Sequence, residues 1–109
     1  MIVGDADDVA IAAVSAAELI LGVAVSDGDA RKRRSAFAEH VLSTIPIEEY
    51  DLDVARSHAT LMAATRRSGR PRGAHDLIIA ATAAARGRTV VTHDAHGFSD
   101  LPGVEVRLI

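Results

Sequence analysis

The sequence predicts a single α/β domain, residues 1–109, with a mainly parallel sheet flanked by helices. Three observations carry this expectation. The apolar runs 9–14 and 88–92 alternate with helical stretches, and strands separated by helices imply βαβ units. A length of 109 residues suits one small domain and not two. The apolar half of the composition is mostly Ala, Val, Leu and Ile with only 3 % aromatics, which suits helices lying close on a sheet.

The elements follow in order. Residues 1–8, MIVGDADD, give a short apolar start and an acidic turn. Asp5, Asp7 and Asp8 resemble the start of a calcium loop, but the later ligands and the bidentate Glu are missing, so a solvated turn is expected. VAIAAV, 9–14, reads as a buried strand. Ser15-Ala-Ala-Glu18 fits a capping box, with Ser15 as cap of a helix that runs through AELILGVAV. Asp27–Ser43 reads as a second helix, with Ala36, Phe37, Val41 and Leu42 as its apolar side. TIPIE, 44–48, predicts a short strand that Pro46 confines to an edge or end. Asp51 caps a helix over 52–68 with Val54, Ala55, Leu61, Met62 and Ala63 as its apolar positions. Arg66 and Arg67 suit its final turn, and Gly69 stops it. Pro71 and Gly73 shape a loop that carries Arg70 and Arg72. A helix from about 74 to 86 ends at Gly87. RTVVT, 88–92, is a buried strand with Asp94 just past its end, HGFSDLPG is a turn region, and VEVRLI is the last strand.

Composition removes several function classes. A net charge of −3 gives no global basic field of the kind a strong duplex-DNA binder carries. The absence of cysteine excludes disulfides, thiolate metal sites and cysteine nucleophiles, and it fits a reducing cytoplasm. There is no secretory pattern at the start and no apolar run near the ~20 residues that span a bilayer, so a soluble cytoplasmic protein is expected. GxSxG, P-loop and GxGxxG motifs are all missing.

The acids carry the chemistry. In open α/β sheets, ligands bind outside the carboxyl ends of the strands. Asp94 follows one such end, Glu18 lies near the start of the helix after strand 9–14, and Asp76 opens another helix. Three ionised carboxylates in one crevice repel one another unless a cation lies between them. Hard oxygen ligands suit Mg²⁺ or Mn²⁺, which can activate a water and stabilise the leaving oxygen of a phosphodiester. Each acid also has a purely structural reading: Glu18 as capping-box partner, Asp76 as first-turn acid, Asp94 as cap of the following turn. His75, His93 and His96 crowd the same region, but no HExxH or comparable zinc spacing is present.

VAIAAVSAAELILGV together with GRPRGAHDLIIAATAAARGRTVVTHDAHGFSDLPGVEV resembles a PIN-domain ribonuclease of the VapC toxin type, from about residue 5 to the end. The resemblance implies a three-layer α/β fold. It also implies an Mg²⁺-dependent (or Mn²⁺-dependent) endoribonuclease that cleaves structured cellular RNA such as tRNA or rRNA. Such toxins are neutralised by a VapB-type antitoxin and are often homodimers. Glu18, Asp76 and Asp94 match three of the family's four acidic metal-site positions, and Thr92 matches the hydroxyl residue beside the last acid. Arg70 and Arg72 match no family role, and RNA-phosphate contact is the expectation placed on them. The run Arg31 to Arg34 is a solvated face or, alternatively, a contact for RNA or antitoxin.

The sequence departs from the family at its start. The family opens with a strand ending in an Asp, then two helices. Here Asp5 stands only 13 positions before Glu18, with strand 9–14 between them. The chain therefore reads as N-terminally truncated, without the family's mid-sheet first strand, the two helices and the first acid. A start codon assigned too late, a frameshifted gene or a retained remnant would each account for it. Such a loss is expected to leave two strand edges unpaired and apolar surface exposed. Beside the ribonuclease stand two other readings. One is a catalytically impaired remnant that binds an antitoxin. The other is an unrelated α/β domain whose acids only cap helices.

Overall fold

The computed structural model describes residues 1–4 and 8–109. Asp5 and Asp7 of the expected acidic turn lie outside the described residues. The elements are β1 (Ile2–Val3), β2 (Val9–Ala12), α1 (Ala13–Ala24), α2 (Gly28–Thr44), β3 (Ile47–Glu48), α3 (Leu52–Ser68), α4 (Ala74–Ala85), β4 (Thr89–Thr92), a 3₁₀ turn at Ala95–Gly97 and β5 (Glu105–Leu108).

The five strands form one sheet in the order β3-β2-β1-β4-β5. β2 pairs parallel with β3, and β4 parallel with β5. β1 runs antiparallel to both of its neighbours, with Ile2 opposite Ala10 on one side and Val90 on the other. The sheet is therefore mixed, and the expectation of a mainly parallel one is corrected. The cause is the length of the β1–β2 connection. Only residues 4–8 join the two strands, whereas a parallel crossover needs about a dozen residues or more. The amide of Gly4 donates to the Asp8 carbonyl at 2.7 Å across this return.

The expected mid-sheet gap is corrected as well. β1 stands between β2 and β4, so their facing edges are paired, and Ile2 has no exposed surface.

Alternation along β2 divides the interior into two cores, because successive strand residues point to opposite faces. Ala10 joins Ile2, Val90, Val54, Leu61 and the α4 residues Leu77, Ala80, Ala81 and Ala83. Ile11 joins Ala16 and Val41, with Leu19, Leu42 and Ile45 packed beside them. Helices thus cover both faces, giving three layers. The small alanines of α4 let its axis approach the sheet closely while α3 packs along it.

Two local expectations also change. β2 stops at Ala12, and α1 starts at Ala13 with Ala12 as its N-cap. Ser15 lies inside the helix, so no capping box forms. The Ala-rich stretch around it favours helix strongly enough to extend the helix back to the strand end. On α2 the buried positions are Ala38 and Val41, while Ala36 faces solvent and Phe37 is 60 % exposed. Phe37 stands one turn before Val41 on the same side of α2, but at the open edge of that face, where it lines a groove with Leu19 and Ile45 and stays exposed.

Other boundaries fall where the residues place them. Asp51 Oδ1 accepts from the Val54 amide at 3.1 Å, and Gly69 closes α3 in the left-handed conformation (φ 68°) that favours glycine. An ionic cluster ties the start of α3 to the end of α4. Arg86 meets Glu48 at 3.0 Å and Asp51 at 2.7 Å, while Arg88 reaches the other Glu48 oxygen at 3.0 Å and the Asp8 carboxylate at 3.2 Å. The Val54 amide and then Arg86 hold the Asp51 carboxyl below its ordinary value. A depressed acid contributes stability above its unfolded pKa and loses it as pH falls through the folded one. Asp51→Asn is expected to lower the melting temperature at pH 7. The gap from wild type closes as pH falls below the ordinary carboxylate range, which thermal melts across pH will check.

Candidate active site

Three connections end at the carboxyl edge of the parallel strands. The end of β2 leads directly into α1, which carries Glu18 on its second turn. The loop from α3 delivers Asp76 in the first turn of α4, where the helix dipole favours an anion. β4 ends at Thr92, two residues before Asp94.

The region past β4 is fixed by short hydrogen bonds. The Thr92 hydroxyl accepts from the Asp94 amide at 3.1 Å and lies 3.3 Å from the Asp94 carbonyl, to which it donates. Asp94 Oδ1 accepts from the His96 amide at 3.0 Å and so caps the 3₁₀ turn. That turn brings Gly97 against Asp76. A Cβ built on Gly97 would stand 2.7 Å from Asp76 Oδ2, closer than real Cβ contacts come. An alanine here would force the Asp76 carboxylate to shift.

Asp76 is half-buried, and its carboxyl is raised above its ordinary value. Burial is the largest cause, followed by the charge of Asp94 and then that of Glu18, with His75 acting the other way. The three acids thus share one electrostatic environment. Asp76 and Asp94 also satisfy their structural readings, as first-turn acid and turn cap. Glu18 does not, because the capping box is absent. Its Oε1 instead lies 2.6 Å from His75 Nδ1, linking α1 to the second residue of α4.

As they stand, no group of three His, Asp or Glu side chains among the described residues is arranged to hold a metal ion. For the acids, the donor set is nevertheless the one a hard divalent cation takes: three ionisable carboxyl groups, the most buried of which is raised first by burial and then by the charges of the other two.

The two loop arginines have internal partners. Arg70 pairs with Asp100 at 3.1 Å, both largely exposed. Arg72 donates to the Ser99 carbonyl at 2.7 Å and to the Arg70 carbonyl at 3.0 Å, and its Nε is buried without a partner. Together they strap the α3–α4 loop to the turn after β4.

Residues 2–104 match the PIN domain family. The chain belongs to that family. It is 32 % identical over 96 residues to the tRNA(fMet)-specific endonuclease VapC of Salmonella typhimurium, covering 88 % of this chain and 71 % of that protein. It is 37 % identical over 94 residues to the VapC ribonuclease Y4jK of Sinorhizobium fredii, covering 81 % and 66 %. The chain thus spans about two thirds of the length of these relatives. Among solved structures, VapBC-5 from Mycobacterium tuberculosis superposes with a TM-score of 0.83 at 34 % identity, covering 92 % of this chain and 81 % of that one. This is accordingly a PIN domain of the VapC toxin type.

In this PIN domain, two site residues have no sequence motif that points to them. Gly97 reads in sequence as one more turn glycine, and His75 as one of three clustered histidines. The signal available for His75 was its place beside Asp76. For Gly97 there was none, because its constraint comes from a residue 21 positions away. Gly97→Ala is expected to push the Asp76 carboxylate aside while leaving the backbone in place. RNA cleavage would fall by about tenfold to a hundredfold, since misplacing a reacting group by about 1 Å costs on that order. The melting temperature should stay within a few degrees. Cleavage assays and melts on the same preparation check this.

Proposed function

We propose that the chain is the toxin component of a type II toxin–antitoxin pair. It acts as an endoribonuclease at the edge formed by Glu18, Asp76 and Asp94. The observation that carries this reading is the 32 % identity to a VapC endonuclease over 88 % of the chain, with the three acids standing past strand ends or near helix starts on one edge. The names of its relatives support RNA as the substrate class, and one of them names a tRNA; tRNA or rRNA is the target class proposed here.

Glu18, Asp76 and Asp94 would hold Mg²⁺ or Mn²⁺. The ion would supply an activated water and neutralise charge on the scissile phosphodiester. The chain itself supplies the framework. Thr92 holds the Asp94 backbone, Gly97 leaves room for the Asp76 carboxylate, and Arg72 straps the α3–α4 loop in place. Arg70 is the exposed cation on this loop and is proposed as an RNA-phosphate contact, by exchange of its partner Asp100 for a phosphate.

A VapB-type antitoxin is the proposed protein partner. The α1–α2 surface supports one, with Leu21 58 % exposed, Val25 71 % exposed and Phe37 at the rim of a groove of about 330 Å³ beside Glu18, Arg33 and Arg34. A second copy of the chain is the competing occupant of that face. No helix among the described residues is long and apolar enough to cross a membrane. The cytoplasm is the proposed location, where both RNA and antitoxin would be met.

Incubation with a tRNA and rRNA pool tests the activity. Cleavage with Mg²⁺ or Mn²⁺, stopped by chelation and restored by added metal, is the expected result. Intact RNA under all conditions, together with a stable complex with the antitoxin, would favour the alternative of an antitoxin-binding module without catalysis.

A further inference from the structure

We infer that the groove between α1 and α2 is a nucleotide subsite beside Glu18: Phe37 stacks an unpaired RNA base, and Arg33 and Arg34 hold the phosphate next to it. The inference rests on the ribonuclease reading above and says where the strand lies. The groove has a volume of about 330 Å³ and is lined by Glu18, Leu19, Gly22, Arg33, Arg34 and Phe37. An adjoining, more apolar groove shares Glu18, Leu19 and Phe37 and runs on to Val41 and Ile45. Phe37 thus stands between a basic half and an apolar half, and Glu18 borders both.

Three features fit a single RNA strand. The first is a free aromatic face. The chain has one tyrosine, two phenylalanines and no tryptophan. Phe98 is buried and Tyr50 meets the His58 ring edge-on, whereas Phe37 is 60 % exposed. Unpaired bases stack on aromatic side chains presented in this way, and bases already stacked in a duplex do not. The second feature is charge. The run Arg31 to Arg34 stands on α2 in a chain of net charge −3, and its last two members line the groove. Arg34 Nη1 donates to the Gly22 carbonyl at 3.3 Å, which steers its guanidinium across the groove and leaves its other donors for a phosphate. Arg33 meets no carboxylate at ion-pair distance among the described residues. The third feature is room. A Cβ added to Gly22 on the facing wall would meet nothing within 4 Å. Leu21 and Val25, the apolar residues offered to an antitoxin, do not line this groove. An apolar helix seated in it would leave both arginines without an anionic partner, and a phosphodiester supplies one.

The test uses the full chain with a chelator present, so that binding is read without cleavage. Phe37→Trp gives the groove a fluorescent reporter, since the chain has no tryptophan of its own. Short single-stranded RNA is expected to quench it saturably, and the same sequence in a perfect duplex is not. Anisotropy of labelled RNA reads the other variants. Phe37→Ala and Phe37→Leu should each weaken binding about five- to a hundredfold, the range for one lost base–aromatic stack. Arg33→Gln and Arg34→Gln should each reduce the slope of log affinity against log salt by about 0.7, the value for one phosphate of a single strand. Melting temperatures should stay close to wild type, because all three side chains are exposed. If the wild type binds and cuts RNA while Phe37→Ala binds it as tightly and the tryptophan is not quenched, the subsite is overturned and the ribonuclease reading stands. Phe37→Leu binding like wild type also overturns it, because stacking is then not what matters. Loss of the antitoxin complex in Phe37→Ala with RNA binding unchanged assigns the groove to the protein partner and overturns it too. If the wild type neither binds RNA nor cuts it with Mg²⁺ or Mn²⁺, the ribonuclease reading fails and the inference falls with it.

Discussion

Asp76→Asn is expected to abolish RNA cleavage and, in the same molecule, to raise the melting temperature of the metal-free protein. The two effects have one cause. Asp76 sits half-buried with Asp94 and Glu18 nearby, and all three influences oppose its ionised form. At neutral pH the carboxylate is ionised against that opposition, which costs folding free energy. Asn keeps the shape and removes the charge.

The sign with pH follows from linkage. An acid whose folded pKa lies above its unfolded value of 3.8 binds protons more readily when folded, so stability falls as pH rises through that window. The advantage of Asp76→Asn should therefore be present at pH 7 and fade as pH falls through the carboxylate range, where both side chains become neutral. Added Mg²⁺ should narrow the gap at pH 7 by stabilising the wild type alone. Activity should drop at least about a hundredfold, the upper range for losing even an outer partner of a metal centre. A variant that is inactive but no more stable would mean that the acids do not strain one another. The shared site would then lose its main support.

The second large effect concerns the first strand. Ile2→Ala should cost about 2–5 kcal/mol, the range for truncating a fully buried aliphatic residue. Ile2→Asp should prevent folding at 37 °C, since an unpaired charge would be forced into the apolar core beneath α3 and α4. Ile2 has no exposed surface and pairs with Ala10 on one side and Val90 on the other. Marginal stability of about 5–15 kcal/mol leaves a domain of this size little room for such a loss. Urea melts of Ile2→Ala will measure it. A cost below about 0.5 kcal/mol, typical of surface positions, would place Ile2 outside the sheet core.

Much of the chain was legible because its signals are local. Asp51 and Gly69 bracket α3, Gly87 ends α4, and Asp94 follows β4, each through a residue whose preference acts within a few positions. The same holds for the placing of Glu18, Asp76 and Asp94 past strand ends or near helix starts. What was not legible depends on partners far away in sequence. The direction of β1 follows from a short return and from the neighbour it meets at Val90, and an apolar dipeptide specifies neither. A capping-box pattern at Ser15 is a local signal, and it lost to the helix preference of the alanines around it. Phe37 looks like core in sequence and shares the Val41 side of α2, yet it sits at the open edge of that face, which the helical pattern does not mark. The contacts of Gly97 with Asp76 and of His75 with Glu18 exist only once α4 has docked.

The account turns on whether three acids from three separate elements form one cation site. Electron paramagnetic resonance of Mn²⁺ titrated into the full chain tests this most directly, with Glu18→Gln, Asp76→Asn and Asp94→Asn measured in parallel. The account expects saturable binding in the wild type that competes with Mg²⁺ and is weakened in each of the three variants. Free Mn²⁺ signal undiminished by the protein, or binding that survives all three substitutions, would contradict it.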